Sequence, residues 1–423
     1  MNTEKTKNNF INYKKVVSLA NENWQEAEMR KISGLSVDVA GQNYLHDQYG
    51  RHFYHFCTTS YLGLDYHPTI LASAISAIQE TGTLRIANSK NRCKLAILDV
   101  FEQELSELFE VSCLSTLSCS SASSGILPLL ASGVLTDNVS PTMVFDKFSH
   151  YSMNHLKPSC ADETEVITAP HNDMNYLEDI CKKHHKVAYI ADGVYSMGGI
   201  ADIDSIMYLK EKYGIFLYLD DSHSISALGQ NGKGYVRTKM KELDDNVIIV
   251  ASLAKSFGCS GGVVMFGDDA HTKFVHRYGG PSNWSQSLNV AAIGAGLASV
   301  KIHSSSELTL LQQKLQNNIR QFDAAIQTEQ SGSPTAIRLI RCGESGLANK
   351  AAEYLANHGF FTSAVFFPVV PQGKAAIRVT LRADMRSEII TEFCSLISDF
   401  LLSHGIDIKP EKISSAPLLA EKI

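Results

Sequence analysis

Short apolar blocks recur along the chain, separated by stretches that read as helices. Thr142–Phe145, Val187–Ile190, Ile215–Leu219, Val247–Ala251 and Gly262–Phe266 are rich in Val, Ile, Leu and Phe and lack polar alternation. Runs of this kind predict strands buried on both faces, as in a parallel sheet. Leu114–Leu117 is a weaker strand candidate ahead of them, and the small residues from Ser118 to Gly125 lead from it into a helix at Ile126–Ala131. Leu95–Leu108 carries Ile97, Leu98, Phe101, Leu105 and Leu108 on one face of an amphipathic helix, and His67-Pro68 opens another near Thr69–Glu80. The βαβα rhythm predicts an α/β fold with a mainly parallel sheet covered by helices on both faces.

The flanks read differently. Val16, Leu19, Trp24, Ala27 and Met29 have helical spacing, and Val37–Phe56 alternates weakly around a turn signal at Asp47-Gln48-Tyr49-Gly50. A long helix over Glu307–Thr328 is followed by strand-like Ala336–Arg341, Phe361–Val369 and Ile377–Leu381, then a helix at Ile389–Leu402. The expected organisation is an N-terminal helix with small strands (1–58), a large domain (59–302) and a smaller α+β domain (303–423), with a mobile tail from Lys409.

Composition narrows the class. A chain of 423 residues, 44% hydrophobic and 19% charged, can build a large core and stay water-facing. A net charge of -6 argues against general affinity for nucleic acid or anionic membrane. The cysteines number nine, and none forms a C-x-x-C pair. Reduced thiols and no metal centre are therefore expected. The N-terminus is polar and lacks a signal-peptide apolar region, and no segment has the ~18 apolar residues of a membrane span, so a cytoplasmic location is expected.

Chemistry collects just after the predicted strands, where open α/β sheets bind ligands. Ser118–Gly125 offers backbone N–H groups and hydroxyls to an anion at a helix start, or is simply a serine-rich capped turn. His150 ends Phe145-Asp146-Lys147-Phe148-Ser149-His150, as a stacking or acid–base group or a structural histidine. Asp192-Gly193-Val194-Tyr195-Ser196-Met197-Gly198-Gly199 brings polar groups to a third strand end. Asp220 and His223 follow a fourth; Asp220 could keep a pyridinium nitrogen protonated, or the pair could cap a helix. Ser252 and Lys255 follow a fifth. A lysine among small residues suits a desolvated amine able to form a Schiff base, though a lone lysine there is more often a surface group. Arg378, in a strand-like run, could hold a carboxylate bidentately or lie on the surface. Together these groups match the needs of pyridoxal phosphate.

With YLGLDYHP, FDKFSHYSMN, APHND, DGVYSMGG, LDDSHSISALGQNGKG, SLAKSFGCSGG and PQGKAAIRVT in this order, the chain resembles the α-oxoamine synthases over roughly Ser60–Arg382. These belong to the fold-type I enzymes that use pyridoxal 5'-phosphate (PLP), whose architecture is that of aspartate aminotransferase. The resemblance implies that Lys255 is the Schiff-base residue, that Asp220 and His223 meet the ring nitrogen and ring oxygen, and that His150 stacks on the ring. It places Ser252, Ser196 and the turn Ser120-Ser121-Ala122 among the cofactor's other contacts, and a substrate carboxylate on Arg378. It also implies condensation of an amino acid with an acyl thioester, on coenzyme A or an acyl carrier protein, in a homodimer with shared active sites. An aminotransferase or a carbon–carbon or carbon–sulfur lyase on the same scaffold is the alternative, and a catalytically silent binding protein a third. The chain departs from the family pattern at Ser120-Ser121-Ala122, at Ile86–Arg92 in place of a glycine-rich stretch, and at Asn283–Ser287.

Overall fold

The five apolar runs all become strands of one seven-stranded sheet in the computed structural model, which describes residue 10 and residues 13–408. Its strands are β1 (Ser112–Thr116), β2 (Thr142–Asp146), β3 (Val166–Ala169), β4 (Val187–Asp192), β5 (Phe216–Asp220), β6 (Val247–Ser252) and β7 (Gly262–Phe266). They lie in the order β1-β7-β6-β5-β4-β2-β3. The pairs β3–β2, β2–β4, β4–β5 and β5–β6 are parallel, while β7 runs antiparallel to both β6 and β1.

Successive side chains of a strand point to opposite faces. Here both faces are core: Tyr189, Leu217, Leu219, Ile249 and Ala251 join one buried cluster, and Ala188, Ile190, Phe216, Tyr218, Ile248 and Val250 join another. That explains why these strands show no polar alternation. The large sheet is thus the expected mainly parallel α/β arrangement, buried on both faces.

The helices Pro68–Thr81 and Ala96–Phe109 form within a residue or so of their expected limits. Val290–His303, absent from the sequence reading, packs on Pro68–Thr81. It is buried along most of its length, so its apolar positions run all round and leave no stripe for a periodicity argument to find. The two helices meet at Gly294, where a Cβ would lie 2.5 Å from Ala77 Cβ and 2.6 Å from the Ser73 carbonyl oxygen. On the outer side of Pro68–Thr81, Leu71, Ile75 and Ile78 stand exposed at helical spacing.

Two units divide the described residues: Thr58–Leu315 with 13–15, and Val16–Cys57 with 316–408. Residues 16–57 group with the C-terminal unit. That second unit contains an antiparallel meander of Val37–Gly41, Tyr44–Asp47 and His52–His55, to which Phe360–Phe361 adds in parallel. Its other sheet places Ala375–Thr380 between Ile337–Gly343 and Ser363–Val365. The turn expected at Asp47–Gly50 is there because Asp47 accepts the N–H groups of Tyr49 and Arg51, both at 2.9 Å. The single strand expected over Phe361–Val369 is instead two short ones followed by a turn, in which the Phe367–Pro368 bond is cis.

Candidate active site

Four adjacent parallel strands deliver polar side chains at their carboxyl ends. His150 follows β2, Asp192 ends β4, Asp220 ends β5, and Ser252 ends β6 with Lys255 just beyond. Asp192 lies in register with Asp220, and Asp220 with Val250 of β6. The sheet therefore gathers groups that are far apart in sequence at one edge.

Asp220 is buried, and both of its oxygens have donors. Oδ1 accepts the Ser222 N–H at 3.0 Å, and Oδ2 accepts the thiol of Cys119 at 3.3 Å. Ser222 Oγ in turn accepts the N–H of Ser252 at 2.8 Å, which ties β5 to β6. Its two acidic neighbours behave differently. Asp221 is fully buried and accepts the Val236 N–H at 3.0 Å; burial pushes its carboxyl up to about 7. A Cβ at Gly193 would sit 2.5 Å from Asp221 Oδ1, and one at Gly234 would strike Oδ2, so this acid pegs the surrounding loops together. Asp192 accepts the His150 N–H on Oδ1 at 3.2 Å, and its Oδ2 has no partner among the described residues. Burial, then the charge of Asp220, pushes the Asp192 carboxyl far above the usual carboxylate range.

His150 is exposed as a residue, yet enough protein surrounds the imidazole for desolvation to lower its pKa. Asp220 opposes that shift and the Lys255 charge adds to it, so all three groups act on one another. Nδ1 of His150 accepts the Ser152 N–H at 3.2 Å, which leaves the proton of the neutral ring on Nε2. His223, also buried, has its Nδ1 2.6 Å from the hydroxyl of Tyr61.

Lys255 sits in the loop that reverses the chain between β6 and antiparallel β7. The loop is closed by bonds from Leu253 N–H to the Gly261 carbonyl (2.9 Å) and from Cys259 N–H to the Leu253 carbonyl (3.1 Å). Gly258 turns it with φ +77°, and a Cβ there would lie 2.5 Å from Leu64 Cβ. Lys255 is half-buried, and its charge reaches Asp192 and Cys119 as well as His150. Ser252 Oγ accepts the Ala254 N–H at 3.3 Å at the loop's start.

The serine-rich segment is a helix start rather than a turn. Its helix runs Cys119–Ala131, beginning seven residues before the expected Ile126, and Ser118 caps it in a reciprocal box with Ser121. Ser123 and Ser124 return their hydroxyls to the carbonyls of Cys119 and Ser120, which lets serines occupy helical positions. Ser121 N–H is spent on Ser118 Oγ and Ala122 N–H on the Ser118 carbonyl. The N–H groups of Cys119 and Ser120 head the helix, where no intrahelical acceptor exists, so an anion would be met there. Gly262 of β7 permits this approach: a Cβ would fall 2.6 Å from Cys119 N.

Ser196 lies on a tight hairpin closed by an isolated bridge between Val194 and Ile200, with Gly198 and Gly199 at positive φ. Arg378, in the second unit, is buried mid-strand in register with Leu339 and Ser363. Its neighbours Arg338 and Arg382 each engage an aspartate, Asp323 and Asp384, through two N–H groups. Ile86–Arg92, where glycines were expected, is pinned by buried Lys90, whose Nζ donates to the Ser115 carbonyl at 2.5 Å and reaches Glu102 Oε1 at 3.4 Å. Ser89 Oγ also bonds Asn283 Oδ1 at 2.7 Å, so two segments that depart from the family pattern are joined.

Sequence reasoning missed Cys119 and Tyr61 as members of this site. Nothing in a serine run or a YLGLDYHP motif marks a thiol or a phenol as a partner of Asp220 or His223. The donor set fits PLP: a lysine amine, a buried carboxylate for a protonated ring nitrogen, two histidines and the head of a helix for phosphate. Among the described residues, no group of three or more His, Cys, Asp or Glu is placed to hold a metal ion, and no helix is long and apolar enough to cross a membrane.

Residues 51–397 match the aminotransferase class I and II family. The chain is 28% identical to 8-amino-7-oxononanoate synthase of Thermoanaerobacter pseudethanolicus over 79% of its length and 84% of that protein. It is also 28% identical to 2-amino-3-ketobutyrate coenzyme A ligase of Escherichia coli, over 81% of this chain and 86% of the other. Its fold superimposes on Sphingomonas wittichii serine palmitoyltransferase with a TM-score of 0.80 and 18% identity, covering 92% of this chain and 99% of that one.

Proposed function

The chain belongs to the aminotransferase class I and II family, and from that premise we propose a PLP-dependent acyltransferase of the α-oxoamine synthase type. It condenses an amino acid with an acyl thioester, releasing CO2 and the free thiol and leaving an α-amino ketone. The observation that carries this reading is the meeting of Lys255, Asp220 and His150 at adjacent strand ends, within electrostatic reach of one another. Lys255 would hold PLP through Nζ, Asp220 would accept a hydrogen bond from the protonated ring nitrogen, His223 would donate to the ring oxygen, and His150 would cover a ring face. Ser252, Ser196 and the N–H groups heading Cys119–Ala131 serve the remaining polar contacts. Bound there, PLP supplies an electron sink for charge left at Cα. The chain's own groups do the rest: Arg378 receives the substrate carboxylate, and Lys255 Nζ carries the proton to or from Cα. The names of the two curated relatives, a synthase of an amino-oxo acid and a coenzyme A ligase of an amino-keto acid, support the same product class.

The reading is tested by mixing the PLP-loaded protein with single amino acids and acyl thioesters of graded chain length, on coenzyme A and on a carrier protein. Thioester consumption matched by an amino ketone whose mass is that of the two substrates less CO2 and the free thiol is the expected result. Conversion of PLP to pyridoxamine phosphate without thioester loss would instead identify an aminotransferase.

The working form is a cytoplasmic homodimer in this proposal. The stripe Leu71, Ile75 and Ile78, with Leu84 and Val100 also exposed, supports a second copy as the covering partner. Ile75→Glu places a charge in that stripe; the mass in solution is expected to fall from twice the chain mass toward once it. A wild-type protein that is already monomeric would reject the dimer.

A further inference from the structure

We infer that Cys119 is a positioning residue for the cofactor, aiming the Asp220 carboxylate while its own backbone heads the anion-binding helix; this rests on the PLP reading above. The thiol lies 3.3 Å from Asp220 Oδ2, the Ser222 N–H lies 3.0 Å from Oδ1, and Ser222 Oγ receives the Ser252 N–H. One short chain of hydrogen bonds thus joins the start of Cys119–Ala131, the end of β5 and the end of β6. The helix start would meet phosphate, Asp220 the ring nitrogen, and the β6 end leads to Lys255.

Cys119 is a lasting donor rather than a nucleophile. It is buried, and desolvation followed by the neighbouring Asp220 charge keeps the thiol protonated. Asp220 needs such a donor. The Ser222 N–H fixes Oδ1, and the thiol is the donor that fixes Oδ2. Without the thiol, Oδ2 loses its donor, the carboxylate can turn away from the ring nitrogen, and the link with the ring would weaken. Gly262 fixes the geometry, because any side chain there would push the helix start, and Cys119 with it, away from Asp220.

The experiment compares wild type, Cys119→Ala and Cys119→Ser for binding of PLP and of a PLP analogue with carbon in place of the ring nitrogen. Affinities are read by titrating apoprotein, with thermal melting alongside. Cys119→Ala is expected to weaken PLP binding about 3- to 10-fold, the scale of one ordinary hydrogen bond. It should leave the analogue's affinity unchanged, and Cys119→Ser should restore PLP binding. Equal losses for PLP and the analogue would show a merely structural thiol, and no loss for either would also overturn the inference. The cofactor reading is checked separately, by borohydride reduction of wild-type protein with PLP. If that fails to fix PLP on Lys255, the reading fails whatever Cys119 does.

Discussion

Lys255→Ala is expected to lower amino-ketone formation by on the order of a thousandfold, since one substitution removes both a covalent anchor and a proton carrier. The loop geometry makes this a clean test. Its closing bonds run between main-chain atoms of Leu253, Cys259 and Gly261, and its turn depends on Gly258, and all of these are kept in the variant. Melting temperature should therefore stay near the wild-type value while turnover collapses. Removing the lysine charge also takes away one influence that depresses His150. The imidazole of the variant is expected to titrate at higher pH, which NMR of its ring protons can follow. A variant that still condenses substrates at more than a tenth of the wild-type rate would exclude Lys255 from the chemistry.

Asp220→Asn is the second large effect, with a fall in turnover on the order of a hundredfold to a thousandfold, the usual cost of removing one electrostatic stabiliser from a preorganised site. Asparagine keeps an oxygen for the Ser222 N–H, so the strand end stays in place. It gives up the anion needed for a protonated ring nitrogen. Folding stability should hold or rise slightly, because a buried charge beside Asp192 disappears. The KM for the amino acid should change little compared with kcat. Loss of both together, with a lower melting temperature, would mean that Asp220 serves the fold alone.

Much of the large unit was legible in the chain. Parallel strands covered on both faces must be apolar at every position, so Val187–Ile190 and Ile215–Leu219 announced themselves. The direction of β7 was not legible: Gly262–Phe266 is as apolar as its parallel neighbours, and only the short loop holding Lys255 makes it antiparallel. The helix start at Cys119 was hidden because serines favour turns by propensity; here the capping box and hydroxyl-to-carbonyl bonds override that preference. Lys255 and Asp220 could be singled out because each follows an apolar run. Cys119 could not, since its significance is a contact with a strand end far along the chain. Lys90 was equally silent: a lysine in a polar stretch gives no hint that it will be buried against Ser115 and Glu102.

The second unit is sewn from both ends of the chain, and Phe56 is its stitch. Its N–H donates to the Phe361 carbonyl, its own carbonyl accepts from Thr380, and its ring stacks on Phe393 at 4.5 Å between centroids. A ribosome delivers Phe56 long before any of those partners exists. Until Phe393 has left the exit tunnel, the early strands hold an aromatic side chain with nowhere to bury it. Residues 16–57 wait without those partners while the large sheet is synthesised, and a truncation that removes them leaves Phe361, Thr380 and Phe393 without theirs.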